Sequence, residues 1–156
     1  LIKRRDPILS DCLYYQDLYF TLEPAEACII PGYVILRLKS GATAWGDLDP
    51  AEAGALGPML RRVGEAVEKA AQAERVYCLV FSELDCRLHF HFFPRTRWLL
   101  QAYWDRTGRS NEPVNGPVLF EWARSVYSHG CPLPRESGDV SLVWQSILSK
   151  LKDTTI

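Results

Sequence analysis

The segment Arg87-Leu-His-Phe-His-Phe-Phe-Pro94 alternates polar and apolar residues along most of its length. A helix would scatter these side chains around its circumference. A strand, with its period of two, sorts them: Arg87, His89 and His91 fall on one face, and Leu88, Phe90 and Phe92 on the other. Such a segment buries one face and presents a row of one guanidinium and two imidazoles on the other, successive members lying roughly 6.5 Å apart. Two of the chain's three histidines stand in this row.

The flanking sequence predicts what the strand pairs with. Tyr14–Leu22 (YYQDLYFTL), a turn around Pro24 and Pro31, and Tyr33–Leu38 (YVILRL) are rich in aromatic and β-branched residues and read as two or three antiparallel strands. Asp49 as N-cap, Pro50 at the first helical position and Glu52 closing a capping box open a long helix. Its apolar stripe is Leu56, Met59, Leu60, Val63, Val67 and Ala70. Residues 75–82 (RVYCLVFS) read as a buried strand, and SELDC as the turn into 87–94, where Pro94 is expected to end the ladder. Beyond Arg95 the sequence is aromatic, then Gly-, Asn- and Pro-rich, with short helices expected at 117–128 and 139–152 as a lid or packing element. The 156 residues suit one domain of class α+β: an antiparallel sheet of about five strands, one long packed helix and additional C-terminal helices. The core is expected over about 15–97 and a helical extension over about 98–156.

Eighteen Lys and Arg against 19 Asp and Glu give a formal charge of −1, too little to hold a nucleic-acid backbone or an anionic membrane, so a phosphate ligand must be held locally. No apolar run approaches the roughly 20 residues of a membrane helix, and the start, LIKRRDPILS, lacks the apolar stretch of a signal peptide. A cytoplasmic protein with neither nucleic-acid nor membrane partners is expected. Cys12, Cys28, Cys78, Cys86 and Cys131 are scattered, without a C-x-x-C pair, and read as buried free thiols.

A row of one arginine and two histidines serves metal ligation, anion binding, or nucleophilic and acid–base catalysis; its bland alternative is two imidazoles satisfied by backbone or water. A metal needs further ligands, which His129, Glu83 or Asp85 would have to supply, and an arginine beside both histidines repels a dication. Neither metal nor cofactor is expected. Arg87 favours neutral imidazoles by like-charge repulsion, neutral imidazole is the nucleophilic form, and a guanidinium fork suits phosphate. The pattern describes a phosphate-attacking site better than a metal site.

The segment RVYCLVFSELDCRLHFHFFPR resembles the end of a histidine-triad (HIT) domain, whose motif is His, apolar, His, apolar, His, apolar, apolar, often followed by Pro-Arg. PGYVILRLK, the start of the long helix at Asp-Leu-Asp-Pro-Ala-Glu and the junction AERVYCLVF match that family's order of elements, and the likeness spans roughly residues 15–97. In that family the middle histidine attacks phosphorus of a nucleoside phosphate derivative and forms a nucleotidyl-histidine intermediate, and the third helps bind the phosphate. By position these are His89 and His91. Arg87 replaces the first histidine, Tyr77 stands where many members have asparagine, and Ser82-Glu83-Leu84 replaces a Gly-Gln-Ser/Thr-like segment that contacts phosphate.

The resemblance implies a nucleotide hydrolase or nucleotidyl transferase acting on an anhydride, ester or phosphoramidate, with His89 as nucleophile. His91, Arg87, Ser82, Glu83 and Arg95 are the expected phosphate ligands. Glu26 or Glu23 is placed to hold a ribose hydroxyl, and Phe20, Ile29, Ile30 and Tyr33 to wall a base pocket. A homodimer with sheets joined side by side is implied too. The three departures leave open a noncatalytic nucleotide- or phospho-ligand-binding module. An interaction scaffold also stays open, for which the motif face would be covered by the chain's own C-terminal helices. Trp98, Tyr103 and Trp104 read as packing for those helices rather than base-stacking groups, and His129 as a positive charge at a helix end.

Overall fold

The computed structural model describes residues 14–128 and 130–153. Five strands, β1 (Tyr15–Gln16), β2 (Phe20–Pro24), β3 (Val34–Leu38), β4 (Arg75–Leu79) and β5 (His89–Arg95), form one antiparallel sheet in the order β1-β2-β3-β5-β4. The helices are α1 (Pro50–Ala71), α2 (Arg97–Thr107), α3 (Gly116–Tyr127) and α4 (Val140–Lys152). The fold class is α+β, as expected.

YYQDLYFTL breaks at Asp17, whose carboxylate accepts from the backbone N–H of Tyr19 (2.9 Å) and Phe20 (2.8 Å), a local bond that makes the turn between β1 and β2. Between β2 and β3 the chain turns at Pro31-Gly32. Gly32 has φ +87°, and a Cβ there would lie 2.7 Å from Ala71 Cβ. Only glycine allows the start of β3 to seat against the end of α1. Asp49 caps α1 by accepting from Glu52 N at 2.8 Å. Gly54, Gly57 and Pro58 lie inside that helix, so it rests on the burial of Leu56, Met59, Val63, Ala66 and Val67 rather than on propensity.

The alternation read in the sequence sorts two cores. On the back face, Phe20, Leu22, Val34, Leu36, Leu38, Phe90 and Phe92 pack with α1 and with Trp144, Ile147, Leu148 and Leu151 of α4. Each fully buried side chain of this kind contributes about 1.5–3 kcal/mol. On the front face, Phe93 and Tyr33 pack with Leu99 of α2 and with Phe120, Ala123 and Tyr127 of α3. The C-terminal extension is therefore split between both sides of the sheet.

Several expectations are corrected. Pro94 does not end the ladder: it pairs with Val76, and Arg75 with Arg95 beyond it. The β3 pairing stops at Phe92, so from there β5 has one free side, where a proline is tolerated. Residues 97–107, placed in the helical extension but not singled out as a helix, form α2, capped by Thr96 Oγ1 accepting from Leu99 N and stopped by Gly108 at φ +70°. Their aromatic content masked ordinary cap signals. Strand β4 ends at Leu79 instead of Ser82. Cys28, Cys78, Cys86 and Cys131 are free thiols, yet only Cys28 is buried, Cys78 being exposed on the edge strand; Cys12 lies outside the described residues. Among the described residues no helix is long and apolar enough to cross a membrane.

Leu36 on the central strand β3 is fully buried, and Leu36→Ala is expected to lower unfolding free energy by about 2–5 kcal/mol. Gly32→Ala, which forces a positive φ and a clash with Ala71, is expected to cost about 1–3 kcal/mol. Urea titration followed by circular dichroism measures both; a Gly32→Ala protein as stable as wild type would show that the β2–β3 turn yields to a side chain.

Candidate active site

The front face of the sheet gathers its polar groups at the β3–β5 pairing. In that register Arg37 lies opposite His89 and Ile35 opposite His91, while Leu79 of β4 lies opposite His91 from the other side. Residues directly opposite share a face, so His89, His91 and Arg37 belong to one patch. Strand β5 begins only at His89. Arg87 sits in the preceding bend, and Leu88 N there donates to Ala42 O at 2.7 Å.

The Arg87 side chain does not complete the expected row. It is exposed and held by Asp85, through Nε to Oδ1 at 2.9 Å and Nη2 to Oδ2 at 2.7 Å. That pairing holds the Asp85 carboxyl well below the usual carboxylate range. The part of Arg87 that enters the site is its backbone carbonyl, 2.7 Å from His89 Nδ1. A carbonyl only accepts, so His89 Nδ1 carries a proton, and in the neutral ring Nε2 is the nitrogen with the lone pair. The His89 ring is 4.9 Å from that of His91, centroid to centroid, and His89 retains 7% of its surface.

His91 Nδ1 lies 2.9 Å from the hydroxyl of buried Tyr33. Burial pushes the Tyr33 phenol up to about 12. Burial first, then His89, Arg124 and Arg37, lower His91 from 6.5 to about 4. A protonated phenol faces a neutral imidazole, and the phenol, the stronger acid, donates. His91 Nδ1 therefore accepts and its proton resides on Nε2. As neutral rings the two histidines are favoured in opposite tautomers: Nε2 is the lone-pair nitrogen on His89 and a donor on His91.

Two arginines near the pair escaped the sequence reading. Arg37 donates from Nε to Glu23 Oε1 at 2.6 Å and from Nη1 to Asp85 Oδ2 at 3.1 Å, so its guanidinium is fixed between β2 and the β4–β5 connection. Arg124 of α3 lies over the Phe120 ring at 5.4 Å, and the Phe120 ring lies 6.4 Å from that of His91. One signal for Arg37 was present: it is the lone charge in the strand YVILRL. Nothing local marked Arg124, which reaches the site only by tertiary packing.

The remaining expected site residues divide. Ser82 has φ 51°, and its buried Oγ has no hydrogen-bond partner among the described residues. Glu83 is exposed, as is Leu84 beside it. Arg95 pairs with Glu74 at 3.2 Å and lies six residues from His89, roughly 20 Å along the strand, so it does not join the pair. Phe20 packs in the α1 core on the other face and does not wall the site. Tyr33 touches His91 itself and acts on its tautomer. Glu26 is exposed in the β2–β3 turn, and Glu23, its alternative, is bound to Arg37. Ile30 is buried with Tyr33 in the front core, and Ile29 is half exposed. Trp98 packs on Tyr127, and Tyr103 on Trp122, as packing elements. Trp104 lies against the cluster of Leu100, Tyr103 and Leu119. His129 lies outside the described residues.

No family model and no curated protein matches the sequence. Solved structures do match. A histidine triad protein from Bradyrhizobium japonicum superposes with TM-score 0.53 at 18% identity, covering 96% of each chain. A hypothetical histidine triad nucleotide-binding protein from Sulfolobus tokodaii gives 0.56 at 13% identity, over 94% of this chain and 89% of that one. A histidine triad (HIT) protein from Sinorhizobium meliloti gives 0.51 at 17% identity, over 85% and 83%. At these identities the likeness is one of architecture, and it agrees with what the motif around His89 and His91 implied: the chain has the HIT-like fold.

Proposed function

We propose that the chain is a nucleotide hydrolase or nucleotidyl transferase acting on a nucleoside phosphate anhydride, ester or phosphoramidate, with His89 as covalent nucleophile. The observation that carries this reading is the pair of hydrogen bonds, His89 Nδ1 to the Arg87 carbonyl and His91 Nδ1 to Tyr33, which favours opposite tautomers of the two histidines. The His89 Nε2 lone pair forms a bond to phosphorus, and the leaving group departs with the electrons of its own bond to phosphorus. Water, or another acceptor, then attacks phosphorus and displaces Nε2, releasing the nucleotide. When Nε2 binds phosphorus the ring becomes cationic, and its Nδ1–H bond to the Arg87 carbonyl strengthens. That bond favours the transition state over the ground state, as rate enhancement requires. His91 Nε2–H donates to a phosphoryl oxygen, and the Arg37 guanidinium supplies the nearby positive charge expected of Arg87. The orphan Ser82 hydroxyl is a further donor for phosphate, and Glu83 flanks it. A homodimer is part of the reading, supported by β4, an edge strand with no neighbour on its outer side among the described residues. So is a cytoplasmic setting.

A second reading has an observation behind it: α3 packs beside the motif face, with Phe120 against His91 and little of His89 exposed. In that reading the face is closed and the domain is an interaction scaffold.

Nucleoside monophosphate release from a panel of adenylyl and guanylyl dinucleoside polyphosphates and phosphoramidates separates the readings. Turnover is expected, falling roughly a hundredfold or more in His89→Ala. Binding without turnover would return a binding module, and neither would leave the scaffold.

Arg37→Gln is expected to slow turnover by roughly 10²–10³, with Arg87→Ala costing less than about tenfold. The reverse order would restore Arg87 as the phosphate ligand.

The His91 pairing also predicts a pH dependence of stability. Unfolded, His91 titrates near 6.5; folded, at about 4. Between these values the unfolded chain binds a proton that the folded chain refuses. His91's contribution is thus fully present above about 6.5 and lost as pH falls to about 4. Denaturation of wild type and His91→Gln between pH 7 and pH 4 should give a shallower decline for the variant; parallel curves would mean that His91 is not held neutral by the fold.

A further inference from the structure

Beside His91, α3 and the end of β4 enclose a groove of about 580 Å³ whose walls include Leu79, Phe81, Phe120, Glu121 and Arg124. Two of its wall residues adjoin the histidine pair: Leu79 lies opposite His91 in the β4–β5 register, and the Phe120 ring is 6.4 Å from that of His91. Three features of this groove bear on what it could bind. Phe81 leaves 60% of its surface exposed, its ring 6.5 Å from that of Phe120, although an aromatic side chain of that size favours burial. Arg124 makes no ion pair with a carboxylate among the described residues and rests over Phe120 at 5.4 Å. Glu121 precedes it by three residues on α3, the spacing at which two side chains share one helix face.

An exposed aromatic face beside a guanidinium and a carboxylate is a recognition surface for a flat heteroaromatic ring. Arginine only donates and an ionised glutamate only accepts. Guanine offers two adjacent acceptors, O6 and N7, which suit an arginine fork. Its N1–H and exocyclic amine suit a carboxylate. Adenine, with N7 and a single exocyclic amine, satisfies less of the pair. We infer that this groove is a nucleobase subsite of the substrate, built by α3, with Phe81 as stacking platform and Arg124 and Glu121 selecting guanine over adenine. The inference rests on the proposed reading of His89 only in that the sugar and phosphate of the same molecule would extend toward the histidines.

Two half-ligands test the groove and the catalytic reading separately. Guanosine carries the base without phosphate, and ribose 5-phosphate carries the phosphate without the base. Each is titrated by NMR against the full chain and its Phe81→Ala, Arg124→Gln and His89→Ala variants, with adenosine as comparison. Phe81 is exposed, so its truncation leaves the core intact, and near-native circular dichroism checks each fold. Guanosine is expected to bind wild type more tightly than adenosine. It should weaken about tenfold in Phe81→Ala, the size of a lost base–aromatic stack, and about tenfold in Arg124→Gln, with no change in His89→Ala. Ribose 5-phosphate should weaken in His89→Ala and bind Phe81→Ala as it binds wild type. Guanosine that fails to bind, or binds Phe81→Ala and Arg124→Gln as it binds wild type, overturns the subsite even if ribose 5-phosphate still depends on His89. So does a Phe81→Ala protein whose only change is loss of a dimer in sedimentation, which would make the groove a contact between copies. Groove-dependent guanosine binding with no His89-dependent ribose 5-phosphate binding supports the subsite and counts against His89 as a phosphate site.

Discussion

The register between β3 and β5 is the constraint from which both the core and the site follow. Its four pairs alternate in character: Val34 with Phe92 and Leu36 with Phe90 face α1, while Ile35 with His91 and Arg37 with His89 face the other side. A slip of one residue would turn every side chain of β5 over. It would push two imidazoles into the apolar layer beneath α1 and three phenylalanines out of their packing. Desolvating polar rings without partners costs several kcal/mol, and so does stripping the core of its aromatics. The hydrophobic pattern that folds the sheet is therefore the same pattern that brings His89 to Arg37. Nothing beyond the core is needed to align the site.

Around the histidines, fixed hydrogen bonds set protonation states that charge alone would leave undecided. The Arg87 carbonyl determines the tautomer of His89, and Tyr33 that of His91. Charges are arranged in a chain, Glu23–Arg37–Asp85–Arg87, with two of each sign. Glu23 and Asp85 hold the Arg37 guanidinium in place but also offset its charge. Arg87, on the outer side of Asp85, offsets that carboxylate in turn and so leaves more of the Arg37 charge for a ligand. Arg87, where the motif's first histidine would stand, thus acts on the histidine pair through its carbonyl and through Asp85 rather than through its guanidinium.

What the sequence revealed, and what it hid, separate along a physical line. Elements governed by local periodicity were legible: the strand with His89 and His91, the helix from Pro50, the helices near 116–127 and 140–152. So was the sheet count, because turn residues punctuate it. Helix α2 fell within the expected helical extension but its bounds went unread, because Thr96 and Gly108 were not weighed as caps for Trp98, Leu99, Leu100, Tyr103 and Trp104. Arg87 was misplaced because strand parity was extended two residues past the strand's real beginning, where the chain bends to bond Ala42. Phe20 was misassigned for a related reason. Its parity along β2 was left unread, and Phe20, Leu22, Leu36 and Leu38 all belong to the back core. Arg37, Tyr33 and Arg124 meet the histidines across strands and helices, and such meetings depend on register and packing that no single segment encodes.

The helices after β5 do more than cover the sheet. Against an open front face His91 would be hydrated, and an imidazole in water is partly cationic near neutrality. Burial is the largest cause of its depression to about 4, with Arg124 of α3 adding to it, and Phe120 of the same helix lies against its ring. A neutral His91 can accept from Tyr33 and still donate from Nε2; a cationic one could only donate, reversing the Tyr33 bond, and would repel a proton on His89. The helix that narrows access to the histidines is thus part of what fixes their tautomers. A face left entirely open would lose that control, and one sealed completely would admit no ligand. The groove between Phe81 and α3 lies between those limits, which is why the residues that line it carry the question of what the site recognises.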